Sequence, residues 1–107
     1  MTKVAPIRAE TDKDEVYVGE LRASLIEGSA KLSTSSGDTC HGTFDQFSAG
    51  QPTVMMYISC DDGRHGKMIS HPDPPVGSGT GTGTGTLNDG TKVTFAWGNK
   101  RISEMDQ

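Results

Sequence analysis

The chain has 107 residues, a formal charge of −4, a hydrophobic fraction of only 32% and 14 glycines, against roughly 45–50% apolar residues, glycine included, in ordinary globular domains. That is one domain of common size with a small core, for which a covalent staple would be useful. No stretch approaches the ~18 apolar residues that span a bilayer, and no Lys/Arg cluster is present to neutralise phosphates, so nucleic acid is not an expected partner.

Residues 1–14 are polar and charged, and they read as a disordered tail. The opening "MTKVAPIRAETDKDE" has no apolar h-region, so as it stands it is not a signal peptide. Two compartments stay open: the cytosol, or an exported protein whose signal has been removed. Residues 15–100 read as a single all-β domain, because glycines and turn residues recur at short spacing, and residues 101–107 as a frayed end.

The segment "ELRASLIE" (Glu20–Glu27) has some helical potential, with Leu21 and Leu25 four apart. Tyr17, Gly19, Leu21, Ala23 and Leu25 also alternate, and a strand is the preferred reading.

Three turn signals follow: Ser35-Ser36-Gly37, Asp61-Asp62-Gly63 and Asn88-Asp89-Gly90. Each is two small polar residues and a glycine, as required by a type I turn closed by a left-handed residue and a G1 bulge. This geometry sets Thr34 opposite Asp38, Cys60 opposite Arg64 and Leu87 opposite Thr91. Counting outward by twos then sorts each hairpin into faces. Ala30, Leu32, Cys40, Gly42 and Phe44 share the apolar face of the first, and Val54, Met56, Ile58, Cys60, Gly66 and Met68 that of the second. In the third, Leu87, Val93, Phe95 and Trp97 lie opposite glycines of "GSGTGTGTGT". That tract, by composition a flexible linker, is therefore read as a strand whose glycines lie beneath large rings. About seven antiparallel strands in up-and-down order result, closing into a small barrel or a strongly curled sheet.

Cys40 and Cys60 fall on the inward face of consecutive strands. If those strands pair with the cysteines opposed, Phe44 meets Met56 and Gly42 meets Ile58, and a disulfide is within reach. The bridge, and with it an oxidising compartment, is favoured over two buried thiols.

"CHG" at 40–42, "CDDGRHG" at 60–66 and His71 raise the question of a metal or a Cys-His nucleophile. No zinc spacing is present, and the register sends the cysteines inward and His41 and His65 outward. No metal, cofactor or catalytic residue is assigned, and "DGRHG" reads as a turn with solvated charge. On the outward side Met55, Tyr57 and Ile69 interrupt a polar face, beside His41, Ser59, His65 and Lys67. This is a candidate partner-binding patch, unless the first strand, near Val16–Leu25, or the "HPDPPVG" loop covers it.

The run from Cys40 to Gly98, with "CHGTF", "SCDDGRHGKM" and "GSGTGTGTGTLNDGTKVTFAWG", resembles small glycine-rich β domains that proteobacteria export or anchor through lipid. The shared elements are a cysteine before a Gly-aromatic pair, a second cysteine before D-G-R-x-G, and the closing G-x-G-x-G-x-L-x-D-G. The signal sequence and lipobox cysteine of those proteins are missing from this chain. A weaker similarity is to MORN repeats, whose hairpins share the "DG…G" spacing. The resemblance implies a periplasmic or envelope-associated β domain and transfers no catalytic residue. The expected function is thus a non-enzymatic binding or structural module, monomeric, with a protein or envelope component as partner. The alternative is a cytosolic metal protein or enzyme using His41, His65, Asp61 and Asp62.

Overall fold

A computed structural model describes residues 3–24, 28–44, 53–74 and 78–98. Eight strands run in chain order: β1 (Lys3–Thr11), β2 (Val16–Ala23), β3 (Gly28–Ser33), β4 (Thr39–Phe44), β5 (Val54–Cys60), β6 (His65–Pro72), β7 (Gly81–Leu87) and β8 (Lys92–Trp97). Each pairs antiparallel with the next, and β1 pairs with β8, closing the barrel. The described residues contain no helix long and apolar enough to cross a membrane.

The tail expected over residues 1–14 is instead mostly strand β1, and the strand count is eight rather than seven. An up-and-down meander closes with its first and last strands antiparallel only when the count is even, so seven strands would have left β2 and β8 mismatched. β1 supplies the missing partner, burying Ile7 and Ala9 inward while Arg8 points out. Its inward side chains are mostly small and interleaved with Pro6 and charges, which hides the alternation. Pro6 is tolerated because its carbonyl, accepting from Gly98 N–H at 2.8 Å, faces β8 where that strand ends. The N–H that proline lacks is directed to the same side. Residues 101–107 lie outside the described residues.

The three glycine turns have the expected form. Gly37, Gly63 and Gly90 have φ of 98°, 94° and 90°, and Thr34, Cys60 and Leu87 donate to Asp38, Arg64 and Thr91 carbonyls at 2.9, 2.8 and 2.8 Å. The β1–β2 turn repeats the pattern without glycine. Thr11 N–H donates to Glu15 O at 3.0 Å, and Asp14 takes the left-handed position at φ 62°.

The inward faces form one core, from Ile7, Tyr17, Leu21 and Leu32 through Phe44, Met56 and Met68 to Phe95 and Trp97. From Gly81 to Thr86 the Gly-Thr tract lies in β7. Gly81 lies opposite Trp97 and Gly83 opposite Phe95, and a Cβ on either glycine would collide with the ring. Glycine here is a packing requirement: the two rings, 6.0 Å apart and stacked, occupy the volume that side chains of β7 would otherwise fill. Cys40 and Cys60 are directly opposed on β4 and β5 and joined in a disulfide.

Candidate functional site

The outer wall formed by β4, β5 and β6 carries the patch. Met55 pairs directly with Ile69 and Tyr57 with Lys67, while Ser59 stands between His41 and His65. Tyr57 and Ile69 are 45% and 44% exposed and Met55 is half-buried. The Lys67 ammonium sits 5.9 Å from the Tyr57 ring centroid, in cation–π range. The wall is therefore an apolar strip, Met55–Ile69–Tyr57, edged by cationic and polar side chains. The strand expected first, near Val16–Leu25, is β2 and does not cover it, because β2 lies between β1 and β3 while β1 lies across the barrel from β5; the loop at 71–77 falls partly outside the described residues.

The groups considered for metal binding do not converge. His41 and His65 lie two strands apart on the outer wall with Ser59 between them, and the Asp62 carboxylate is held by Arg64 at 2.8 Å. Among the described residues no group of three or more His, Cys, Asp or Glu side chains is placed to hold a metal ion.

Arg64, read from the sequence as solvated turn charge, is largely withdrawn from solvent: its side chain is 14% exposed. It reaches from the β5–β6 turn across the barrel end to the β1–β2 turn. There Nη1 and Nη2 donate to the two Glu15 oxygens at 2.9 and 3.0 Å, and Nη2 also donates to Tyr17 Oη at 2.8 Å. The guanidinium bonds hold Glu15 below the usual carboxylate range against the opposing effect of burial, and burial raises the Tyr17 phenol. Two turns on opposite sides of the barrel are thereby clamped by a bidentate pair. No sequence pattern links Glu15 to Arg64; only closure by β1 brings them together.

Neighbouring turns are also bonded to one another at this end. Lys13 pairs with Asp89 at 3.0 Å, Asn88 N–H donates to His65 O at 2.8 Å, and Asp61 N–H donates to Thr39 O at 2.9 Å. Beneath Arg64 the lumen keeps a void of only ≈ 20 Å³, against Tyr17, Leu32, Cys60 and Met68.

At the opposite end the barrel opens into a cavity of ≈ 350 Å³, walled by Ala5, Leu21, Ala23, Pro72 and Trp97, with Lys3, Ser78 and Thr80 at its rim. The sequence reading missed it. It lies beside the paired positions Lys3–Ala23 and Ala5–Leu21 of β1 and β2 and Gly81–Trp97 of β7 and β8, where β1 runs on from Pro6 to Lys3 beyond its last pair with β8. No protein-family model matches the chain, and no curated protein is similar enough to it to indicate kinship.

Proposed function

We propose that this is a non-enzymatic, exported β domain, periplasmic or envelope-associated, that binds a protein partner through the wall of β4–β6. The observation that carries the reading is the exposed strip of Tyr57, Ile69 and Met55 on a wall that is otherwise polar. An exposed tyrosine on a rigid strand, flanked by an aliphatic pair and a cation, is the composition of an interface anchor with a polar rim. The Cys40–Cys60 bridge supports the extracytoplasmic part of the reading, because such bridges persist in oxidising compartments. So does the resemblance to exported glycine-rich domains.

Photo-crosslinking tests the binding surface. A photoreactive residue at position 69, in cells of the native host, should yield one discrete adduct that Tyr57→Ser removes, with stability changed by less than about 1 kcal/mol. No adduct, or an adduct indifferent to Tyr57, would discard the wall as the interface. The compartment is tested separately. Protein alkylated under denaturing conditions without reductant, straight from its own cells, should carry no alkylated cysteine, and two alkylated thiols would move it to the cytoplasm.

A further inference from the structure

The cavity at the open end is independent of the β4–β6 wall. Its volume, ≈ 350 Å³, lies at the small end of the about 300–1,000 Å³ typical of small-molecule sites, which favour the mouths of β-barrels. Its depth is apolar: Leu21 and Trp97 are buried core residues, and Ala5, Ala23 and Pro72 complete the wall. The rim hydroxyls are already engaged. Ser78 Oγ donates to Asp73 O at 2.8 Å and Thr80 Oγ1 to Asp73 Oδ2 at 2.8 Å.

Lys3 differs. It is exposed, it is the one cationic side chain in the wall as described, and among the described residues it enters no ion pair. Charge is also segregated along the barrel. Among the described residues Asp12, Asp14, Glu15, Asp38, Asp61, Asp62 and Asp89 crowd the turn end against Lys13, Arg64 and Lys92, while the mouth carries Asp73, bonded to Thr80, beside Lys3, so an anion approaches with less repulsion from the mouth. A ligand that satisfies this site has a slim apolar body and a single negative head. We propose that the mouth cavity binds a medium-chain aliphatic carboxylate, its chain against Leu21, Ala23 and Trp97 and its carboxylate at Lys3.

Trp97 is the only tryptophan in the chain and stands in the cavity wall, so its fluorescence reports occupancy. The full chain is titrated with hexanoate, octanoate, decanoate and decanol, all below their micelle thresholds. The expected result is a saturable, 1:1 change with decanoate, with affinity rising up to about fourfold per added methylene until the cavity is full. Lys3→Gln should weaken decanoate about threefold and leave decanol unchanged, as befits a rim charge. Ala23→Phe and Ala5→Leu fill the space from neighbouring strands, and each should weaken decanoate about tenfold or more. Should one of them fail to fold by circular dichroism, the other carries the test. No saturable change in the unsubstituted protein, or binding indifferent to both filling variants, overturns the site. Equal loss of decanoate and decanol in Lys3→Gln overturns the assignment of the carboxylate to Lys3.

Discussion

The two ends of this barrel are built on opposite principles. At one end four short hairpin turns share a single backbone geometry, are bonded to one another, and are bridged across the lumen by Arg64. At the other, β1 extends past its last pair with β8, and ≈ 350 Å³ stays open where the sealed end keeps ≈ 20 Å³. The bonded turns and the candidate ligand cavity thus lie at opposite ends of the barrel.

The largest expected effect comes from removing the staple of the sealed end. Cys40 and Cys60 lie one residue or less from the β3–β4 and β5–β6 turn segments and close a loop of 20 residues. Reduction, or Cys40→Ala with Cys60→Ala, should cost about 3 kcal/mol in the chain-entropy account. Denaturant unfolding with and without reductant measures it. A loss under about 1 kcal/mol would mean that the hydrogen-bonded turns hold this end without the bridge.

Next is the clamp. Arg64→Ala leaves Glu15 and Tyr17 without their partner in a part-buried position, and the cost should be about 2 kcal/mol. It also has a pH signature. Glu15 is held below its ordinary value near 4.5 by the Arg64 hydrogen bonds, so folding gains stability that is fully present above that value. The gain is lost as pH falls through the depressed folded value. Stability between neutral pH and the acid range should therefore decline less steeply in Arg64→Ala than in the unsubstituted protein. An identical slope in both would show that the pair contributes nothing to acid sensitivity.

The contrast between the ends also explains what could be read in advance. Turn geometry is local: two polar residues and a glycine at Gly37, Gly63 and Gly90 define a backbone shape. Period-two alternation then carries that shape into the registers, the faces and the opposed cysteines. The patch of Met55, Tyr57 and Ile69 followed by the same counting. β1 escaped because Ala5 and Ala9 give a weak alternation and because its turn has Asp14 where the others have glycine. Arg64 escaped because its partner, 49 residues away, becomes a neighbour only after closure. The mouth cavity escaped because Lys3 and Ala5, which line it, belong to β1, a segment that reads as a polar tail in the sequence.

The glycines of the sealed end give a smaller effect. Gly63→Val or Gly90→Val places a β-branched residue at φ near 90°, although no atom lies within 4 Å of the added Cβ. The penalty is purely conformational, at least about 1 kcal/mol each, and urea unfolding measures it. A neutral result would mean that the turn shifts to another type without disturbing the pairs beside it.

The smallest effect is expected at Asp14, the non-glycine residue in the left-handed position of the β1–β2 turn, at φ 62°. Aspartate tolerates that region better than most residues, yet still at some cost. Asp14→Gly removes the strain and one negative charge from an end already crowded with Asp12, Glu15 and Asp89. Against this, glycine gives the unfolded chain more freedom, worth about 0.4–1 kcal/mol. The two nearly cancel, so the net should be a gain of about 0.5 kcal/mol or less, read as a small rise in the urea midpoint at unchanged slope. If the four turns of the sealed end are one structural device, the variant simply brings the fourth into line with the other three. A loss above about 1 kcal/mol would instead mean that the Asp14 side chain makes its own contribution to the seal, and that β1 is held by more than the turn geometry it shares with its neighbours.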